Sequence, residues 1–287
     1  MKHKSIILAV AGILACSALV AQDMSKHEVS AWGAGGLSAL SYSPEIGDGQ
    51  KGGGGLFGVG YSYYISNQWS IGSGVELSFY NAKTKINNLS DAYATNDGEY
   101  DFEFRTAVSG YKEKQKATFL NIPLTVKYQT LGRYKFYVSG GIKLGIPLSG
   151  KYEVEKANLT SSGYYPQWNV ELTNQEFMGF GTFTREDIKN DLDFRFSCML
   201  TLEAGVRWSL PHSLSLYSGI FFDYGLNDIS KSDSDHLIGY NTSNPEQFKI
   251  NGAISSSITS NGIPVKLVDK VVPMALGLKL QLSFRFI

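Results

Sequence analysis

The chain has 287 residues, 43% of them hydrophobic and 18% charged, with 31 glycines, 17 tyrosines and 16 phenylalanines, a mix that excludes a disordered or collagen-like protein. Its 26 basic and 26 acidic side chains cancel, so there is no electrostatic footprint for a phosphate backbone and nucleic acid is not an expected partner. Past residue 21 no apolar run approaches the roughly 20 residues that a membrane-spanning helix needs, a limit that leaves a membrane β-barrel open.

At the N-terminus, Lys2 and Lys4 precede a continuous apolar run over residues 6–15 and a small-residue stretch reaching Ala21. That order predicts a secretory signal over 1–21 and a mature domain over 22–287. The alternative is a lipidation site at Cys16 in Ile13-Leu14-Ala15-Cys16, against which Leu14 counts. Removing 1–21 leaves 24 basic and 26 acidic side chains, and Cys198 as the single thiol, so no disulfide framework is expected.

Period-2 alternation of apolar with small or polar residues then predicts eight strands. The first, over 29–40, is rich in Gly and Ala and its facing is ambiguous. The second runs through Phe57, Val59, Tyr61, Tyr63 and Ile65. The third carries Trp69, Ile71, Val75, Leu77 and Phe79 on one face. The fourth is Leu120, Ile122, Leu124, Val126 and Tyr128, and the fifth Phe136, Val138, Ile142, Leu144 and Ile146. The sixth spans 194–208, the seventh 214–224, and the eighth alternates seven apolar residues from Met274 to Phe286. No helical face has that spacing.

The connections alternate in length. Residues 66–68, 129–133 and 209–213 are hairpin-sized, whereas 41–54, 81–116, 148–192 and 228–272 are long, and within 81–116 Tyr100, Phe102 and Phe104 alternate with Asp101, Glu103 and Arg105, suggesting strands that extend above the membrane as a sheet rim. Structureless loops of that length do not suit a soluble domain, but short periplasmic turns with long extracellular loops are the rule in outer-membrane barrels. Trp69, Tyr128, Tyr134 and Trp208 lie on the apolar face within a residue of a short turn, as an interfacial aromatic girdle would. The reading is therefore an all-β, eight-stranded, antiparallel up-and-down transmembrane β-barrel. Its alternative is a soluble ligand-binding barrel with the apolar face inside.

On the opposite face Glu76, Lys143, Glu203, Asp223 and Lys279 fall at similar mid-barrel heights. Buried charges must pair, so these are expected to form a compensating structural plug, with a proton or ion path as the functional alternative.

The stretch Phe119-Leu120-Asn121-Ile122-Pro123-Leu124 with Lys127-Tyr128, the Phe222-Asp223-Tyr224-Gly225-Leu226-Asn227 segment, and the final strand over 277–286 resemble the small outer-membrane barrels of the OmpA transmembrane-domain and OmpX kind, especially Bacteroidetes versions that include PorT-like proteins. The resemblance implies surroundings of outer-membrane lipid and lipopolysaccharide, delivery by the barrel-assembly machinery, and either a role in envelope integrity and surface interaction or a PorT-like role in protein secretion. It differs from full-length OmpA-type proteins in that no cell-wall-binding module is expected after the last strand.

Catalysis is not expected, and neither is a cofactor or a metal. His27 precedes the first strand and His212 lies in a short turn, and His236, beside Ser232, Asp233, Ser234 and Asp235, reads as part of a solvated loop. The third long connection is unusually aromatic. Tyr164, Tyr165, Trp168, Phe177, Phe180 and Phe183 there either pack the loop onto itself as a cap or offer a contact surface to a ligand or a protein partner.

Overall fold

A computed structural model describes residues 26–132, 135–231, 235–260 and 262–286. The signal segment 1–21 and Tyr134 of the aromatic set lie outside those residues. Eight long strands organise the rest: β1 (His27–Ser41), β2 (Gly53–Tyr64), β3 (Trp69–Asn96), β4 (Asp101–Gln129), β5 (Lys135–Tyr165), β6 (Ser197–Ser209), β7 (Leu214–Gly225) and β8 (Val272–Phe286). Each pairs antiparallel with its neighbour in sequence. The ring closes where β1 meets β8, from His27 opposite Phe286 to Ser41 opposite Val272. At this level no strand edge is left open, which removes the usual template for aggregation.

The outer wall of the ring is a belt of exposed apolar side chains, among them Val59, Val75, Val126, Phe136, Leu202, Ile220 and Leu278, the last 70% exposed. Trp69, Tyr128 and Trp208 border this belt at the short-turn end, with Trp69 and Tyr128 packed at 4.9 Å. The inner wall of β1 is now defined: Glu28, Ser30, Trp32 and Ala34 point inward. Trp32 lies flat against Gly58, Gly60 and Gly74, where an added Cβ would meet the indole at 2.6, 2.9 and 2.8 Å. The glycines on that inner face make room for the one bulky ring.

Strands β3, β4 and β5 run far past the belt, as the alternation over 100–105 suggests, and the structure corrects the assignment of the rest of 81–116 to a loop. Most of 81–116 is not a loop but the continuation of β3 and β4 to a tight connection at 97–100. The reason is that the sense of the alternation inverts. Up to Phe79 the outward residues of β3 are apolar. Beyond it the apolar residues Tyr80, Ala82 and Ile86 are buried, while Lys83 and Lys85 are exposed. An outward apolar residue suits a hydrocarbon surrounding and an inward one suits water, so the inversion marks the upper limit of the belt. Bulges near Gly110, which has φ 63°, keep the extended sheet in phase.

The third long connection returns along β5 as three short strands, Val170–Leu172, Gly181–Arg185 and Ile188–Asp191. Phe194, assigned from sequence to the sixth strand, instead precedes it and packs inward on Phe119 at 6.0 Å. The fourth connection folds into the mouth of the ring. Its Ile229, Leu237, Ile238, Ile250, Ile254, Leu267 and Val271 are all buried in one apolar cluster with Phe102, Phe104 and Phe180.

Candidate functional site

Alternation places one inward side chain every second residue, and the antiparallel registers stack those side chains into layers across the lumen. The middle layer holds the charges expected from sequence. Lys143 Nζ, on β5, donates to Glu76 Oε1 of β3 and to Asp223 Oδ2 of β7, each at 2.8 Å. All three side chains are buried, with 6%, 1% and 0% exposure. Lys279 of β8 donates to Glu203 of β6 at 2.6 Å. The five residues thus form two clusters rather than one. Trp32 joins them, since its Nε1 donates to Glu76 Oε2 at 2.8 Å while Lys279 Nζ sits 4.9 Å from the ring centroid.

A second charged layer lies toward the short turns. Lys127 Nζ donates to Glu28 Oε1 at 3.0 Å, Arg285 lies 3.5 Å over the Tyr64 ring, and the hydroxyls of Tyr64 and Tyr217 donate to Glu28 Oε2. The alternation of the fourth and eighth strands puts Lys127 and Arg285 on the inward face, but Glu28 was not legible in the sequence. Its signal was a carboxylate immediately before the Gly- and Ala-rich first strand, and the ambiguous facing of that strand hid it. A cavity of about 60 Å³ between the two layers, lined by Ser30, Ser70, Thr125, Ser139, Thr201 and the charged residues, is the lumen space resolved there. It is large enough for a few waters.

Above the belt, Tyr42, Thr84, Gln115, Tyr111 and Glu113 form a third polar layer. Gln115 Nε2 donates to Glu113 Oε1 at 2.5 Å, Tyr111 donates to Oε2, and the backbone N–H of Ala253, from the fourth connection, donates to Oε2 at 2.9 Å. Glu113 is 1% exposed. Burial pushes its carboxyl up to about 7, against those three hydrogen bonds. The carboxylate therefore ties the fourth connection to the ring.

His236 serves the same connection. Its Nδ1 lies 2.7 Å from Asp91 Oδ2 and its ring stacks on Tyr93 at 3.7 Å, while Asp91 Oδ1 accepts the N–H of Thr259 at 2.8 Å. Burial raises the Asp91 carboxyl, but the His236 and Thr259 hydrogen bonds outweigh it and hold the group below its ordinary value. Ser232, Asp233 and Ser234 lie outside the described residues. The histidine is thus packed and hydrogen-bonded rather than solvated.

The aromatic set of the third connection divides. Tyr165 and Phe180 are buried, stacked on and edge-on to Phe102 at 5.1 and 5.6 Å, and belong to the cap over the lumen. Trp168 and Phe177 are exposed, at 54% and 69%, and Tyr164 and Phe183 are half-buried beneath Arg105 and Arg185.

With the ring, the belt and the layered lumen described, the class is that of a membrane β-barrel. The outer membrane protein beta-barrel domain family matches residues 20–231, most of the chain, and the chain belongs to that family. A search of curated proteins found no match. Among solved structures, the chain is similar to Neisserial surface protein A (12% identity, 91% of this chain and 97% of that one, TM-score 0.36). It is also similar to a major outer membrane protein of Thermus thermophilus (13%, 91% and 99%, TM-score 0.36) and to OprG of Pseudomonas aeruginosa (11%, 90% and 96%, TM-score 0.33).

Proposed function

We propose that this protein is a non-enzymatic, eight-stranded up-and-down barrel of the OmpA transmembrane-domain and OmpX kind. Its short turns are periplasmic, its long strands and loops extracellular, and it acts in envelope integrity or surface interaction through that external platform. The observation that carries this reading is the filled lumen: two layers of paired charges under a third polar layer and an apolar cap built by the fourth connection. Eight strands enclose only enough space for side chains, and here those side chains compensate one another instead of lining a path. What remains for function is the outer sheet, with Trp168 and Phe177 at its exposed tip.

Single-channel recording on the purified protein in planar bilayers tests the reading. The expected result is no conductance, in wild type and in Glu203→Gln alike. Discrete steps that change with Glu203→Gln would make it a pore. Pull-down of secretion components that disappears when the third connection is shortened would move the role to a PorT-like one.

A further inference from the structure

Immediately above the apolar belt, the outward face of β3, β4 and β5 carries lysines set directly against one another. Lys83 is opposite Lys114 and Lys85 opposite Lys112 across β3 and β4, and Lys116 is opposite Lys151 across β4 and β5. Like charges at directly opposed positions destabilise a sheet, and three such pairs in adjacent registers are an arrangement that folding alone disfavours. The acids nearby relieve part of it, since Glu155 attracts Lys83 and Lys112 as well as Lys114, and Glu153 stands opposite Lys114. Glu155 pairs with Lys114 at 2.5 Å and Glu153 with Lys189 at 3.1 Å, while among the described residues Lys83, Lys85, Lys112, Lys116 and Lys151 have no ion pair. Asp48 stands opposite Lys85, and Asp191 opposite Lys151, without closing one.

The position of this ridge defines what could relieve it. On the same strands, one to three outward residues nearer the turns, are Phe79, Ile122, Ile146 and Leu148, all between 39% and 55% exposed. Cations thus sit at the boundary where acyl chains end. Between Lys51, Asn81, Lys83, Lys114 and Lys116 the surface forms an open groove of about 480 Å³, the size of a sugar headgroup. We infer that this ridge is a docking site for the phosphorylated headgroup of an outer-leaflet lipid, with phosphates on the lysines and acyl chains along the belt below. Lysine binds phosphate as a compact point charge, so several lysines facing one another suit a ligand with more than one phosphate. The inference rests on the membrane orientation proposed above.

The test uses the full chain folded in detergent, its folding verified by a heat-dependent gel shift, and diphosphoryl lipid A as probe. Binding is compared for wild type, for Lys83→Gln/Lys112→Gln/Lys116→Gln, and for a charge-matched control, Lys249→Gln/Lys266→Gln/Lys270→Gln, whose lysines lie on the fourth connection. The ridge variant is expected to weaken binding at least tenfold and the control to leave it unchanged, with dephosphorylated lipid A binding no better to wild type than to the ridge variant. Without lipid, the ridge variant should resist urea as well as wild type or better, since the opposed charges are relieved. Equal binding by wild type and the ridge variant would overturn the site. Displacement of lipid A by millimolar inorganic phosphate would reassign it to free anions. A chain lacking the heat shift would instead sink the membrane reading on which the site depends.

Discussion

Lys143 is where burial and charge meet most sharply, because one ammonium is shared by two carboxylates, Glu76 and Asp223, and all three are almost wholly buried. Removing a single partner from such a cluster leaves uncompensated charge, whereas removing all of it can be neutral. Lys143→Met is therefore expected to destabilise the barrel by roughly 3–5 kcal/mol in urea unfolding from lipid vesicles. The triple variant Lys143→Met/Glu76→Gln/Asp223→Asn should recover most of the loss. Equal stability of Lys143→Met and wild type would contradict the plug. These residues were legible in the sequence because a charge on an otherwise small, Gly-rich face has to be inside the ring, and counting from the short turns gives its height. Their division into two clusters was not legible, because it depends on Trp32, whose facing the Gly- and Ala-rich first strand does not declare. Asp91 and His236 were equally hidden, since 145 positions separate them and only the folding of the fourth connection into the mouth brings them together.

At the scale of the element, the fourth connection is a lid, held by the Asp91–His236 pair and by Glu113. The Glu113 carboxyl accepts the Ala253 N–H and, in the folded state, stays protonated up to about 7 from an ordinary value of 4.5. A raised carboxyl means that the folded state binds the extra proton between those two values, so the closed lid is favoured at low pH and loses that advantage as pH rises through 7. Exchange of the Ala253 amide, after correction for intrinsic rates, should therefore quicken between pH 5 and 8 in wild type and stay flat in Glu113→Gln. The same slope in both would show that another group sets it. Element lengths were readable only in part. Alternation located every ring strand within the belt, yet of the upper halves of β3 and β4 it declared only the stretch at 100–105, because their apolar phase is reversed, and the apolar residues of the fourth connection are spaced without a period.

For the whole molecule, the account turns on one topological fact: β1 pairs with β8, so the sheet closes and its apolar side faces outward. Closure makes such a sheet slow to unravel, since no edge strand can peel away. The layers inside, the belt outside and the inverted alternation above it are then consequences of one surface lying in hydrocarbon and the other in contact with itself. Mobility on SDS gels, with and without boiling, of protein taken from the outer-membrane fraction tests this most directly. The account predicts a compact fast-migrating species before boiling that converts to the full-length position afterwards. Identical mobility in both lanes, with the protein released into the periplasmic extract, would mean that the belt does not face lipid and would contradict it.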